Sequence, residues 1–561
     1  MNVPATKKGF LSLVVFLVTV RCFAQSSVHS SVDNLFLKCG TTTPGYAIAI
    51  VKDGKVDYMK GYGMANLEYN TPITASTIFH LASVSKQFTA FCIYMLAAEG
   101  KLNLNDPIRK YLPDFRDYKY PVTILNLLQQ TSGIRDQVEL LGLSGTFEPD
   151  LVTQKNALDI IYRQKELNFK PGEKWLYSNS NYILLSEIVK SASGKAFPEY
   201  IQQNVFNPLE MNNSFINDDA QDIIQSKASS YEFDDEKKKF LKKELNYSYY
   251  GATNMNSTIK DLTRWLINFD KNKIGDSSIL AKMEQKGILN SHDTTSYGSG
   301  LFIDKYKNLI RIFHDGNDAG FETFIGYFPE KKLGIVVLSN LLNSNPTGKA
   351  MRIANIYLQI PPGQNAVIKP AVSYKYIKTN QSYLNAYSGS YETPGGNLFK
   401  IYAKDTTLEI QFPDLDKPET LKALNDTVFH VFADMLVTFK KNTKTGFQQI
   451  GFRTPTFSNT ANKVNYVNYD DQKLKEFTGF YYADEIQTLY EVRVLNNALV
   501  MSHIRNGDIV LNPTTQDNFK ASKWYAERIV FQRDLNHQVV SLSVSSGRMK
   551  NVTFKKLTMV K

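Results

Sequence analysis

A serine hydroxyl and a lysine amine stand three residues apart in Leu81-Ala82-Ser83-Val84-Ser85-Lys86-Gln87-Phe88-Thr89-Ala90. On a helix, residues i and i+3 share a face, so one turn brings the Lys86 side chain back beside the Ser83 hydroxyl. That is a nucleophile with its own base. The same spacing recurs at Ser257-Thr258-Ile259-Lys260. There Thr258, with Asp261 three residues on and then Leu262, Trp265 and Leu266, reads as a capped helix start. Spacing alone therefore does not single out Ser83, but its company does. Tyr177-Ser178-Asn179 precedes a helical run, and His314-Asp315-Gly316 sits at a strand edge, in that order along the chain.

The elements that would position these groups follow from periodicity. Residues Tyr46 to Tyr62 alternate apolar and polar about Asp53-Gly54, a β-hairpin signal. The run after Ser83 carries Phe88, Phe91, Met95 and Leu96 and stops at Gly100, as a helix does. Leu127 to Ile134 reads as a helix end at Gly133. A helix from about Tyr182 to Ser191 stops near Gly194, so Tyr177 and Asn179 fall on the loop before it, where polar side chains can face a cleft. Ile310 to Phe321, Phe324 to Phe328 and Leu333 to Leu338 give successive strands, and a helix near Ala350 to Leu358 completes the unit. His80 and Thr131 are read as structural.

Length and composition bound the rest. A chain of 561 residues predicts roughly two to four domains, and 43% hydrophobic residues suffice for packed cores. The net charge of +11 comes from scattered basic residues without a nucleic-acid-binding motif, so no nucleic-acid partner is expected. Lys7 and Lys8 before an apolar run from Phe10 to Val20, then Cys22-Phe23-Ala24, read as a signal peptide over 1–24 and predict a periplasmic or secreted protein. Arg21 before Cys22 argues against a lipid-anchored cysteine, and no later stretch reaches membrane-spanning length. Cys39 and Cys92 remain, with Cys92 expected as a buried free thiol. The seven histidines show no metal-ligand spacing, so neither metal nor cofactor is predicted.

Pro361-Pro362-Gly363 marks a linker over 361–380. Beyond it the pattern turns to short alternating segments in two copies. Leu384-Asn385-Ala386-Tyr387-Ser388-Gly389-Ser390-Tyr391 returns as Leu474-Lys475-Glu476-Phe477-Thr478-Gly479-Phe480-Tyr481, with Leu408, Ile410, Phe429 and Phe439 matching Leu499, Met501, Phe519 and Phe531. The repeats predict two small antiparallel β-barrels or sandwiches over 381–470 and 471–561, or one larger sheet built from both.

Together, Ser83-Val84-Ser85-Lys86, Tyr177-Ser178-Asn179 and His314-Asp315-Gly316 resemble the serine β-lactamase and penicillin-recognising enzyme family, its class C-like branch in particular. That branch includes D-aminopeptidases, D-Ala-D-Ala carboxypeptidases and esterases. Thr131-Ser132-Gly133-Ile134 and Pro208-Leu209-Glu210-Met211 add to the resemblance, which spans roughly 30 to 360. A literal Lys444-Thr445-Gly446 is read as a hairpin turn between two strands of the repeat region.

The resemblance implies an α/β (α+β) hydrolase domain over 25–360, an antiparallel sheet flanked by helices, followed by two lipocalin-like barrels. It implies Ser83 as nucleophile, Lys86 and Tyr177 as candidate bases, and the backbone N–H groups of Ser83 and Asn317 as the oxyanion hole. Asn179, His314 and Gly316 would contact substrate, with Gly316 leaving room for it along the strand edge. The expected substrate is a small molecule or peptide, cell-wall peptides with D-amino acids among them. A non-turnover penicillin-binding sensor, an esterase or a weak β-lactamase are the alternatives, with adhesion through the β-modules a third. Histidine at 314, where true class C β-lactamases carry lysine, turns the expectation away from efficient antibiotic hydrolysis.

Overall fold

The computed structural model describes residues 27–147, 150–359, 374–378, 381–393, 396–413, 415, 417–432, 435–441, 448–454 and 458–558. The signal-peptide stretch 1–24, the Pro361-Pro362-Gly363 linker signal and Lys444-Thr445-Gly446 lie outside the described residues. The two strands either side of that last run, Leu436–Lys441 and Gln448–Arg453, pair antiparallel.

Contacts divide the chain into two units, the first comprising residues 1–134, 147–162 and 169–365. Its centre is a six-stranded, wholly antiparallel sheet of β1 (Tyr46–Lys52), β2 (Lys55–Tyr62), β3 (Phe302–Tyr306), β4 (Leu309–Asp318), β5 (Phe321–Phe328) and β6 (Leu333–Ser339), in the order β3-β4-β5-β6-β1-β2. The β1–β2 turn forms because Asp53 and Gly54 both take left-handed φ, 51° and 70°. That is the geometry a two-residue hairpin matching the strand twist requires.

Both faces of the sheet are covered. On one, Tyr46, Ile48 and Ile50 meet Phe324, Phe328, Val337 and, from the helix Pro346–Tyr357, Ala350 and Ile353. On the other lies the helix Ile259–Lys271, with Leu266 against Gly334. Thr258 caps this helix by accepting from the Asp261 N–H at 3.1 Å. The second Ser-x-x-Lys match is therefore a helix start, as its sequence indicated. The helix Ser85–Ala98 is buried on almost every side, so it runs through the interior and not along the surface. Phe88 and Phe91 pack on Trp265 with ring centroids 4.4 and 5.2 Å apart, and Trp265 Nε1 donates to Gln87 Oε1 at 2.6 Å. Cys39 and Cys92 are both free, Cys92 buried.

The second unit comprises residues 135–146, 163–168 and 366–561. The two sequence repeats form two closed eight-stranded antiparallel barrels, which rules out the single larger sheet. The matched residues occupy matched places: Leu408 and Leu499 lie on the third strands, Phe429 and Phe519 on the fifth, Phe439 and Phe531 on the sixth, and all are buried. In both copies the tyrosine hydroxyl closes the barrel start on a backbone carbonyl, Tyr391 to Tyr387 at 2.8 Å and Tyr481 to Phe477 at 2.7 Å.

By contacts, residues 135–146 and 163–168 group with the second unit. Buried Arg135 donates to both Glu485 oxygens at 3.1 Å and to Gln164 Oε1 at 2.9 Å. The Arg548 N–H donates to Glu139, and the Tyr490 hydroxyl to the Leu143 carbonyl. Hydrogen-bond partners so far apart in sequence leave no local period to read.

Candidate active site

Ser83 sits half-buried in a 3₁₀ turn, Ala82–Val84, that leads into the helix Ser85–Ala98. Ala82, just before it, holds a left-handed φ of 50°. For a residue with a Cβ that conformation costs roughly 1–2 kcal/mol. Lys86, one turn on, is fully buried. Its Nζ lies 3.1 Å from Ser83 Oγ, 2.8 Å from Asn179 Oδ1 and 2.7 Å from the Ala252 carbonyl. Three acceptors match the three N–H bonds of an ammonium. They equally suit a neutral amine that spends two N–H bonds on Asn179 and Ala252 and turns its lone pair to the serine proton.

Tyr177 lies just ahead of the helix Asn179–Ser193, whose first residue is Asn179. Lys86 Nζ stands 4.8 Å from the centre of the Tyr177 ring. Three of the predicted residues, Ser83, Lys86 and Asn179, are thus joined by hydrogen bonds, and Tyr177 covers the amine. Gln130 holds the loop they share: its Oε1 accepts from Ser178 N–H at 2.9 Å and from Asn181 Nδ2 at 2.6 Å. Ser132 adds a bond to Asn181 at 2.6 Å. Thr131 is buried and accepts from Asn126.

On β4, His314, Gly316 and Asp318 share one face by the two-residue period. A Cβ on Gly316 would lie 2.7 Å from the Leu81 carbonyl and 2.9 Å from Ala82 Cβ, so glycine is what lets the strand touch the Ala82–Val84 turn. β3 pairs only with Leu309 to Phe313, which leaves residues 314–318 with a strand neighbour on the β5 side alone among the described residues. Asn317 Nδ2 donates to Glu322 Oε1 at 3.2 Å.

His314 is buried, with Nδ1 2.6 Å from the Asp315 carbonyl and Nε2 3.1 Å from the Tyr297 hydroxyl. The ring then donates from Nδ1 and accepts at Nε2. Burial, and secondarily the charge of Lys86, push its pKa down to about 3. The histidine therefore supplies no fixed cation near neutrality. Tyr297, itself buried among Trp175, Tyr177, Phe302 and His314, had no sequence signal, because its bracing of His314 exists only across the folded sheet.

The depressed pKa sets a pH dependence. A histidine at about 6.5 unfolded and about 3 folded binds fewer protons when folded, so its contribution is fully present above pH 6.5 and is lost as pH falls towards 3. The span is worth roughly 4–5 kcal/mol. His314→Gln should flatten the loss of stability between pH 6.5 and 4 in urea unfolding, and an unchanged slope would show that the ring is not held neutral.

With this geometry in place, comparison with known proteins is direct. The Beta-lactamase family profile matches residues 32–358. The chain belongs to the Beta-lactamase family. It is similar to Protein flp of Staphylococcus aureus (strain COL), 31% identical over 360 residues, covering 62% of this chain and 67% of that protein. It is also similar to Penicillin-binding protein 4* of Bacillus subtilis (strain 168), 26% identical over 377 residues, 65% of this chain and 83% of that one. Among solved structures, the octameric penicillin-binding protein homologue from Pyrococcus abyssi superposes with a TM-score of 0.54 at 25% identity, over 78% of this chain and 99% of that chain. The family's chemistry is serine acyl-enzyme hydrolysis, and the chain is a serine hydrolase of this type.

Proposed function

We propose that the protein is an exported serine hydrolase that forms a Ser83 acyl-enzyme on amide or ester bonds of peptides containing D-amino acids, cell-wall peptides among them. The observation that carries this reading is the placement of Lys86 Nζ 3.1 Å from Ser83 Oγ with its other bonds fixed by Asn179 and Ala252. Ser83 Oγ attacks the substrate carbonyl carbon as its proton passes to Lys86 or Tyr177. The oxyanion is held by the N–H groups of Ser83 and Asn317. The stored proton goes to the leaving amine or alkoxide as the C–N or C–O bond breaks, and water then releases the acid and restores the serine. Asn179, whose Oδ1 accepts from Lys86 Nζ at 2.8 Å, orients the base.

A fluorophosphonate or fluorescent penicillin should label the wild type and leave Ser83→Ala unlabelled; equal labelling of both would overturn the assignment. The similarity to a penicillin-binding protein favours one second reading, a sensor that acylates without turnover. Labelling with no steady-state release from D-alanyl amides, L-alanyl amides, short esters or nitrocefin would establish it. The neutral, internally bonded His314 counts against efficient β-lactam hydrolysis, because it offers no cation to a lactam carboxylate.

A further inference from the structure

Asp318 ends β4 on the same face as Gly316, two residues on, or about 7 Å at strand rise, and one residue past the Asn317 N–H. Its Oδ2 is crowded: the Tyr247 hydroxyl donates to it, Thr253 Oγ1 lies 3.1 Å away and His80 Nε2 3.2 Å away. Oδ1 has no hydrogen-bond partner among the described residues, and the side chain is 26% exposed. The three groups on Oδ2 are neutral donors. His80 is fully buried with Nδ1 unpartnered, and burial pushes its pKa down, so the ring donates from Nε2 without carrying charge. Lys227 is near enough for its field to act on His80, yet no ion pair joins any lysine or arginine to Asp318 among the described residues. Asp318 thus ends the strand that meets the Ala82–Val84 turn with one carboxylate oxygen open and no lysine or arginine paired to it among the described residues.

A partly buried carboxylate without a counter-charge is costly, and an ammonium is what completes it. The loop that supplies Tyr247 and Thr253 also supplies the Ala252 carbonyl that holds Lys86, so the open oxygen and the catalytic amine are fixed by one segment. One strand step from the oxyanion N–H matches the short span between a carbonyl oxygen and a nitrogen on the adjacent carbon. We propose that Asp318 is a specificity-determining residue that pairs with an ammonium on the carbon next to the scissile carbonyl, selecting acyl groups with a free amino terminus. The proposal rests on the Ser83 acyl-enzyme reading and names its substrate class.

The test compares D-alanine p-nitroanilide with its N-acetylated form. In the wild type kcat/KM should favour the free amine, and Asp318→Asn, which keeps an acceptor for Tyr247 and Thr253, should lower that ratio tenfold or more. Tyr247→Phe loosens the cluster but keeps the charge and should hold the ratio within about twofold. The wild-type preference should also fall as pH rises through the substrate amine's pKa, and Asp318→Asn should lose that dependence. Calorimetric titration of the same two compounds into Ser83→Ala, with and without Asp318→Asn, reads the selectivity without turnover. An equal ratio with and without Asp318→Asn in both measurements overturns the proposal. So does a loss confined to an N-acetyl-D-alanyl amide with an aminoethyl leaving group, which would place the cation on the other side. If the wild type neither turns over nor takes the fluorophosphonate, the Ser83 reading falls, and the titration alone decides Asp318.

Discussion

Lys86→Met should lower the acylation rate by about a thousandfold or more and leave the substrate's binding to the resting enzyme much less affected. Methionine fills the same buried volume but can neither take the Ser83 proton nor return it to the leaving group, and such positioned proton transfer is worth about 10²–10⁴ in rate. It also strips Asn179 Oδ1 and the Ala252 carbonyl of their shared donor, so the active-site loop loses its tie as well as its base. Single-turnover labelling with a fluorescent penicillin or an activated ester isolates the acylation step, and thermal unfolding separates the structural cost. Labelling within a few-fold of wild type would move the base to Tyr177 alone. Tyr177→Phe in parallel apportions the role, since residues acting as one unit give losses that do not add.

Gly316→Ala should lower kcat/KM by about a hundredfold with a loss of stability of about 1–3 kcal/mol. The added methyl would lie 2.6 Å from Thr323 Oγ1, 2.7 Å from the Leu81 carbonyl and 2.9 Å from Ala82 Cβ. Two of these belong to the turn that carries Ser83, which is already held at a left-handed φ and has little room to give. Relief must come from parting β4 and the nucleophile turn, which separates the Asn317 N–H from the Ser83 N–H. Removing one oxyanion donor in a serine hydrolase costs on the order of 10²–10³ in turnover. Adding Thr323→Ala should recover little, because it clears only the side-chain contact. Near-wild-type activity in Gly316→Ala would show that the strand does not need to touch the turn.

Much of the scaffold is written in local pattern. The Asp53-Gly54 turn, the helix stop at Gly100, the Thr258 cap and the two barrel repeats each depend on residues within a few positions of one another or on a repeated period. The site is legible to the extent that its motifs stand in order. Gln130, Ala252, Tyr297, Tyr247 and Asp318 carry no such mark. Each meets residues far away in sequence through isolated polar contacts, and such long-range contacts leave no period behind.

Sequence alone singled out Ser83 and its companions as the candidate site, because the i, i+3 geometry of Ser83 and Lys86 and the order of Tyr177, Asn179 and His314 need no tertiary information to be recognised. Tertiary structure decided their surroundings. It buried Lys86 between two fixed acceptors and turned Asn179 towards the base. It made His314 a neutral, internally satisfied ring by desolvation, and by contacts it grouped residues 135–146 and 163–168 with the second unit. Burial and long-range hydrogen bonding set charge state and role, and both exist only once the strands and helices have closed around the residue concerned.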